Sequence, residues 1–182
     1  MTDELDSRLI RRAQEGDVEA FGVLVKHYQT RIFNLAFRMT GSQADAADLT
    51  QETFVRVFQS MGTYRPQRPF YPWLYAVSLN LIRNHLKRKR LIWFIEGSPL
   101  PDQTPSDGDT PETALARRES DRAVQVGLMK VPFRLRAAVV LRYYQDLPFR
   151  EIADILGTSQ GAVKQRVYRG LEKLREILDD SR

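Results

Sequence analysis

Three carboxylates, Asp45, Asp48 and Glu52, fall within two helical turns at spacings of three and four, so a helix would carry them on one face. Gln51 and Val55 flank that face. Clustered carboxylates can hold a divalent cation for phosphodiester cleavage. A metal-dependent nuclease needs further ligands, however, and neither a histidine nor a second carboxylate cluster accompanies these. By spacing alone the face reads as solvated helix surface more readily than as a docking site. A second stretch interleaves rings and cations: Tyr64, Arg65, Phe70, Tyr71, Trp73 and Tyr75, then Asn80, Arg83, Lys87, Arg88, Lys89 and Arg90. Aromatic rings stack on unpaired bases, and a basic strip tracks a phosphate backbone. An extruded base also needs polar groups for its Watson–Crick edge, and Asn80 is polar within the mostly apolar run from Leu74 to Ile82. Trp73 and Phe70 suit a core better than a stacking platform, since Trp73 opens an apolar helix face with Val77.

The third stretch, Leu147 to Leu171, has the layout of a helix-turn-helix. Pro148 suits the first turn of a helix, where its missing N–H costs nothing. Ile152, Ala153 and Leu156 supply an apolar face, with small Ala153 where a second helix must approach closely. Gly157 can take the left-handed conformation that ends this helix, and Ser159 can cap the next. Val163, Val167, Leu171 and Leu174 continue a core stripe. Lys164, Gln165, Tyr168 and Arg169 lie opposite it, with Arg166, Lys173 and Arg175 at the flanks. In such motifs the second helix enters the major groove, where long amide and guanidinium side chains read base edges and lysines hold phosphates. The reading helix is expected to run from Ser159 to Arg175.

The elements that must position these groups are helical. Ala20-Phe21-Leu24-Val25-Tyr28 and Ile32-Phe33-Leu35-Ala36-Met39 recur at helix spacing, and Gly41-Ser42 interrupts them. Ser42 with Asp45 resembles a cap for a helix whose stripe is Ala47, Phe54, Phe58 and Met61, ended by Gly62. Pro66, Pro69 and Pro72 punctuate a loop, after which Trp73 to Lys89 runs without a breaker. Ala114 to Lys130, Arg134 to Tyr144 and Arg150 to Leu156 are periodic as well. No segment alternates with period two for long enough to suggest a sheet, so an all-α fold is predicted.

Between the halves, Gly97 to Pro111 reads GSPLPDQTPSDGDTP, with Leu100 as its only large apolar residue. Such a stretch buries too little surface to offset the entropy of ordering it and is predicted to be a flexible tether. The expected organisation is therefore two small helical domains, 1–93 and 119–182, joined by an acidic linker, 94–118. The charge follows that division: net +5 over residues 1–93, −4 over 94–122 and +4 over 123–182. Two basic blocks on an acidic tether suit two nucleic-acid-facing domains.

Composition narrows the chemistry. The chain of 182 residues contains no cysteine and only two histidines, His27 and His85, each standing alone. Disulfides, thiolate zinc sites and cysteine nucleophiles are excluded, and neither a metal, a cofactor nor a small-molecule substrate is expected. No run approaches the ~18 apolar residues that would span a bilayer. The N-terminus is acidic and polar, unlike a signal or transit peptide, so a cytoplasmic protein is expected.

With these stretches in view, the chain closely resembles the sigma-70 family, specifically its small extracytoplasmic-function (ECF) branch. The resemblance runs from about Leu9 to Leu178. It rests on Asp48-Leu49-Thr50-Gln51-Glu52-Thr53-Phe54-Val55, on Phe70-Tyr71-Pro72-Trp73-Leu74-Tyr75-Ala76-Val77-Ser78-Leu79-Asn80, and on the helix-turn-helix. It implies a transcription initiation factor rather than an enzyme, with sigma-2 and sigma-4 domains. The helix bearing Asp45, Asp48, Gln51, Glu52 and Val55 would grip the clamp of core RNA polymerase. Arg56, Tyr64, Asn80 and the Ser60–Thr63 loop would form the pocket for an extruded minus-ten base. Arg65, Tyr71, Trp73, Tyr75, Arg83 and Lys87 would complete that DNA surface. Arg142, Ser159, Lys164, Gln165, Arg166, Tyr168, Arg169 and Lys173 would meet the minus-thirty-five duplex, while the same domain touches the polymerase flap. An anti-sigma factor, often membrane-anchored in the family, would hold the free protein inactive. The three prolines stiffen the melting loop unusually and leave its base preference open. The alternative is a stand-alone helix-turn-helix repressor or activator whose N-terminal half dimerises or senses a ligand.

Overall fold

The computed structural model describes residues 2–65, 69–96 and 112–180, with side chains placed for 7–65, 69–91 and 121–180. Eight α-helices make up nearly all of it: α1 (Thr2–Gln14), α2 (Val18–Thr40), α3 (Gln43–Ser60), α4 (Phe70–Glu96), α5 (Glu112–Lys130), α6 (Phe133–Tyr143), α7 (Phe149–Leu156) and α8 (Gln160–Asp179). A 3₁₀ turn, Met61–Thr63, follows α3. Helix therefore enters both ends of the segment 94–118 read as a linker. The rest of that segment, residues 97–111, and Pro66 of the melting loop lie outside the described residues.

Helices α1 to α4 form one bundle. Its corners are set by capping chemistry legible in the chain. The Asp17 side chain accepts from the Ala20 N–H to start α2, and Gly41 at φ 72° ends it. Ser42 accepts from the Asp45 N–H to start α3, as its spacing predicts. The inward stripe of α3 differs from expectation. Ala46, Leu49, Thr53, Phe54 and Val57 are buried, whereas Ala47 and Phe58 are exposed. The Thr53 hydroxyl bonds back to Leu49 O at 2.7 Å, which lets a polar residue share the buried face. Gly62 does not stop α3 by a left-handed turn; the helix tightens into the 3₁₀ turn instead.

Helices α5 to α8 form the second unit, with α6 packed along α8. Asp146 in the turn after α6 takes φ 53°, a conformation Asp tolerates better than most residues. Helix α7 ends at Gly157, φ 59°, and Ser159 accepts from the Ala162 N–H to begin α8, both as predicted. The core stripe of α8 runs through Val163, Val167 and Gly170 rather than Leu171, which is exposed. Position 170 is closed to any side chain. A Cβ there would meet Val139 Cγ2 at 2.6 Å and Leu135 O at 3.2 Å, so α6 and α8 touch backbone to side chain.

The two units pack against each other, α2 on α5 and α6, and α4 on α7. Arg38 donates to Gln125 Oε1 at 3.1 Å and lies 4.3 Å from the Tyr144 ring centroid. Tyr75 Oη donates to Gln145 Oε1 at 2.8 Å.

Candidate nucleic-acid interface

The acidic face of α3 divides in two. Asp48, Gln51, Glu52 and Val55 are exposed together, as a docking surface requires. Asp45 is not part of it. Its carboxylate turns to α4, where Lys89 Nζ stands 2.6 Å from Oδ2 and His85 Nε2 stands 3.4 Å from Oδ1. Burial opposes ionisation of Asp45, but the Lys89 hydrogen bond and charge, with His85 behind them, outweigh it and hold the carboxyl below its ordinary value. A carboxylate held this way joins α3 to α4 and is spent on that contact. Among the described residues, no three His, Asp or Glu side chains stand together as metal ligands would.

The aromatic stretch divides as well. Tyr64 (7% exposed) packs edge-on to Phe70 at 5.5 Å and tilted against Trp73 at 5.2 Å, and Phe70 meets Tyr28 at 5.7 Å. These rings fasten the loop after α3 to the first turn of α4. Tyr75, 1% exposed, is core rather than a stacking surface. Burial pushes its phenol up to about 12, although Arg31 nearby pulls the other way, so the hydroxyl stays protonated and donates to Gln145. Tyr71 and Trp73 are half-buried. Arg56, Thr63, Arg65, Asn80, Arg83 and Lys87 are exposed, and Ser60 is half-buried.

Around the loop, Ser60 Oγ donates to Arg56 O at 2.6 Å and Thr63 Oγ1 donates to Ser60 O at 2.7 Å. The loop is thus folded on itself by its own hydroxyls. Asn80 lies about 10 Å further along α4 than Trp73, at ~1.5 Å per residue, and its Oδ1 accepts from Arg83 at 3.0 Å. Asn80 and Arg83 line a cleft of about 320 Å³ whose far wall is Phe133, Arg134, Ile155 and Arg166. Residues expected to serve two different DNA elements therefore share one cleft in this conformation.

On α8, Lys164, Gln165, Tyr168, Arg169 and Lys173 are exposed opposite the Val163–Val167–Gly170 stripe, Tyr168 to 70%. Ser159 is exposed at the helix start. Lys164 Nζ lies 5.7 Å from the Phe149 ring centroid and Arg142 Cζ 5.2 Å from the same centroid, so α7 steadies both cations. Arg142 is half-buried and donates to Leu147 O at 3.3 Å, which closes the α6–α7 turn. Lys173 is tied to Glu176 at 2.8 Å. Sequence spacing missed Gln14, Arg38, Gln125 and Gln145, whose partners are 47 to 88 residues distant or, for Gln145, on the other unit.

Two known sequence families coincide with the two units. Sigma-70 region 2 matches residues 24–92 and sigma-70 region 4 matches residues 121–174. The chain is 33% identical to the ECF RNA polymerase sigma factor SigW of Bacillus subtilis, over 94% of this chain and 95% of that one. It is 31% identical to the RNA polymerase sigma-H factor of Pseudomonas aeruginosa, over 98% and 96%. This chain belongs to the ECF branch of the sigma-70 family. In chain order, region 2 takes in most of α2, then α3, the loop after it and most of α4, and region 4 takes in the second half of α5, α6, α7 and most of α8. Among solved structures, CnrH in complex with the cytosolic domain of CnrY superposes with a TM-score of 0.74 at 27% identity, covering 98% of this chain and 99% of that one. RpoE in complex with the anti-sigma factor NepR, from Bartonella quintana, superposes at 0.73 over 91% and 100%; at 19% identity it speaks to the ECF sigma fold alone.

Proposed function

We propose that this ECF sigma factor works as a two-element promoter reader, with residues 1–93 and 119–182 as its two reading domains and 94–118 as the connection. The observation that carries the reading is that one chain exposes two separate faces. Asp48, Gln51, Glu52 and Val55 dock the polymerase clamp, and Lys164, Gln165, Tyr168, Arg169 and Lys173 meet the minus-thirty-five duplex. Arg142, which shares the Phe149 ring with Lys164, supports that duplex face, and Ser159 presents the helix start. Arg56, Ser60, Thr63, Arg65, Tyr71, Trp73, Asn80, Arg83 and Lys87 serve the minus-ten strand. Tyr64 and Tyr75 contribute as its framework. The chain performs no catalysis of its own; bond formation belongs to the polymerase, and the factor acts in the cytoplasm where that DNA lies. No helix among the described residues is long and apolar enough to cross a membrane.

The two promoter elements lie about 25 base pairs apart, on the order of 85 Å at 3.4 Å per pair. The arrangement with α4 on α7 cannot bridge that distance, so engaging both elements requires the units to part and Tyr75 and Gln145 to separate. An anti-sigma factor that binds the closed arrangement would keep the chain from polymerase. The structure of CnrH in complex with the cytosolic domain of CnrY is the parallel that supports this regulation.

Footprinting tests the reading against a stand-alone helix-turn-helix regulator. The sigma reading expects protection over both promoter elements in the presence of core polymerase and little without it. Tight protection of one palindromic duplex site by the chain alone would favour the regulator.

A further inference from the structure

The loop Ser60–Tyr64 is short, its outer face is open, and it is tied down from one side by a residue remote in sequence. Gln14, the last residue of α1, donates its side-chain amide to Met61 O at 3.0 Å and to Tyr64 O at 3.0 Å. The Tyr64 N–H also donates to Met61 O, at 3.1 Å. Gln14 thus bridges the two carbonyls that bracket Gly62 and Thr63.

The amide itself is held still. Ile10, one turn before Gln14 on the same helix face, and the adjacent Ala13 are buried and seat this end of α1 in the core. Just beyond it the chain turns at Gly16, φ 92°, and the Asp17 cap of α2 receives Arg12 Nε at 2.8 Å. Backbone hydrogen bonding from Ala20, followed by Arg12, keeps the Asp17 carboxyl below its ordinary value and therefore charged. On the other side of the loop, Tyr64 is clamped by Phe70 and Trp73. A Cβ at Gly62 would meet nothing within 4 Å, so the exposed edge is open to a ligand.

From this geometry we infer that Gln14 is a positioning residue for minus-ten base selection: its amide fixes the carbonyls of the base-capturing loop and so sets which base edge the loop accepts. The inference rests on the promoter-reader function proposed above. Without the amide, the Met61 and Tyr64 carbonyls take water instead, and the loop samples several shapes. A loop of variable shape still binds an extruded base but discriminates poorly between bases, because discrimination comes from fixed donors and acceptors rather than from contact area.

The test uses the full chain assembled with core polymerase, on promoter fragments carrying each of the four bases at each minus-ten position, with open-complex formation as the readout. Gln14→Leu keeps the size and removes both donors. Gln14→Glu keeps the shape and faces the carbonyls with a carboxylate. Gln14→Lys restores donors at a similar reach. The expected result is a loss of base preference on the order of tenfold in Gln14→Leu and Gln14→Glu, the discrimination one base-edge contact supplies. Core binding and duplex minus-thirty-five binding stay unchanged, and Gln14→Lys keeps the preference. Unaltered base preference in Gln14→Leu, whatever its melting temperature, overturns the inference and leaves Gln14 a stability residue. If Gln14→Leu does not fold, amide exchange of the Gln14 side chain in the wild-type protein decides: slowed exchange supports the clamp, and exchange at the free-amide rate overturns it. A wild-type chain that opens no promoter at all would instead defeat the promoter-reader function, and this inference would fall with it.

Discussion

Tyr75 of α4 donates its hydroxyl to Gln145 in the turn between α6 and α7, at 2.8 Å, and this is a hydrogen bond between the sigma-70 region 2 unit and the region 4 unit. The bond is imperfect. Gln145 Nε2 is buried without a hydrogen-bond partner among the described residues, so part of what the contact gains is offset by an unsatisfied donor. A contact of this kind holds the units together without locking them.

Tyr75→Phe should therefore shift the free protein toward the open arrangement. A buried neutral hydrogen bond contributes about 1 kcal/mol, which corresponds to roughly a fivefold change in the closed-to-open ratio. The chain has no cysteine, so a pair introduced at exposed Gln59 and Glu172 would carry dyes without background labelling. Energy transfer between them should fall in Tyr75→Phe, and in the wild type on adding core polymerase and promoter DNA. Unchanged transfer in both cases would count against the opening step.

Asp45 and Asp48 should behave differently although three residues apart. Asp48→Ala and Glu52→Ala should weaken core binding while leaving thermal unfolding within about 0.5 kcal/mol of wild type, as exposed substitutions do. Asp45→Asn should instead cost about 1 kcal/mol of stability at neutral pH, since the half-screened pair with Lys89 is lost. The folded carboxyl sits below its ordinary value of 3.8, so its contribution is complete above that value and disappears as pH falls through the folded pKa. Wild type and Asp45→Asn should thus converge in stability only in strongly acidic solution, below pH 3.8. Urea unfolding across that range checks the sign.

Gly170→Ala should destabilise the C-terminal unit by ~1 to 3 kcal/mol, the usual cost of forcing volume into a packed contact. The clash with the Val139 side chain and the Leu135 carbonyl leaves the new methyl nowhere to go. Calorimetry should show the loss, with minus-thirty-five binding falling in parallel. A neutral Gly170→Ala would mean that α6 and α8 can part at little cost.

On the reading helix, Gln165→Ala and Arg169→Ala should relax preference at particular base pairs, with ~1 to 3 kcal/mol lost per base contact. Lys164→Ala should weaken all sequences about equally and reduce the salt slope of binding by about one. Binding to a panel of single-base variants at several salt concentrations separates the two outcomes.

The helix-turn-helix was the most legible part of the chain because its signals are local. A left-handed Gly157 and a capping Ser159 announce their helix ends within a few residues. Packing partners were harder to read. Leu171 and Gly170 both continue the spacing of Val163 and Val167, and only the approach of α6 excludes a side chain at 170. Ala47 and Phe58 fit a stripe as well as Ala46 and Val57 do, since a helix face is fixed by what it meets. Asp45 shares a face with Asp48 and Glu52 by spacing, yet Lys89, 44 residues on, claims its carboxylate. Tyr75 read as a ligand surface because aromatic density looks alike in a core and on a platform. Gln14, Arg38, Gln125 and Gln145 carried no local signal, for each finds its partner only once the helices have assembled.

Whether this chain directs polymerase to promoters is decided by run-off transcription with purified core polymerase from the same organism. Genomic promoter fragments should yield transcripts from defined start sites only when the chain is added, with start-site use lost in Asp48→Ala through weakened core binding and in Arg169→Ala through weakened upstream reading. Transcripts that are absent, or that begin at the same sites without the chain, would contradict it.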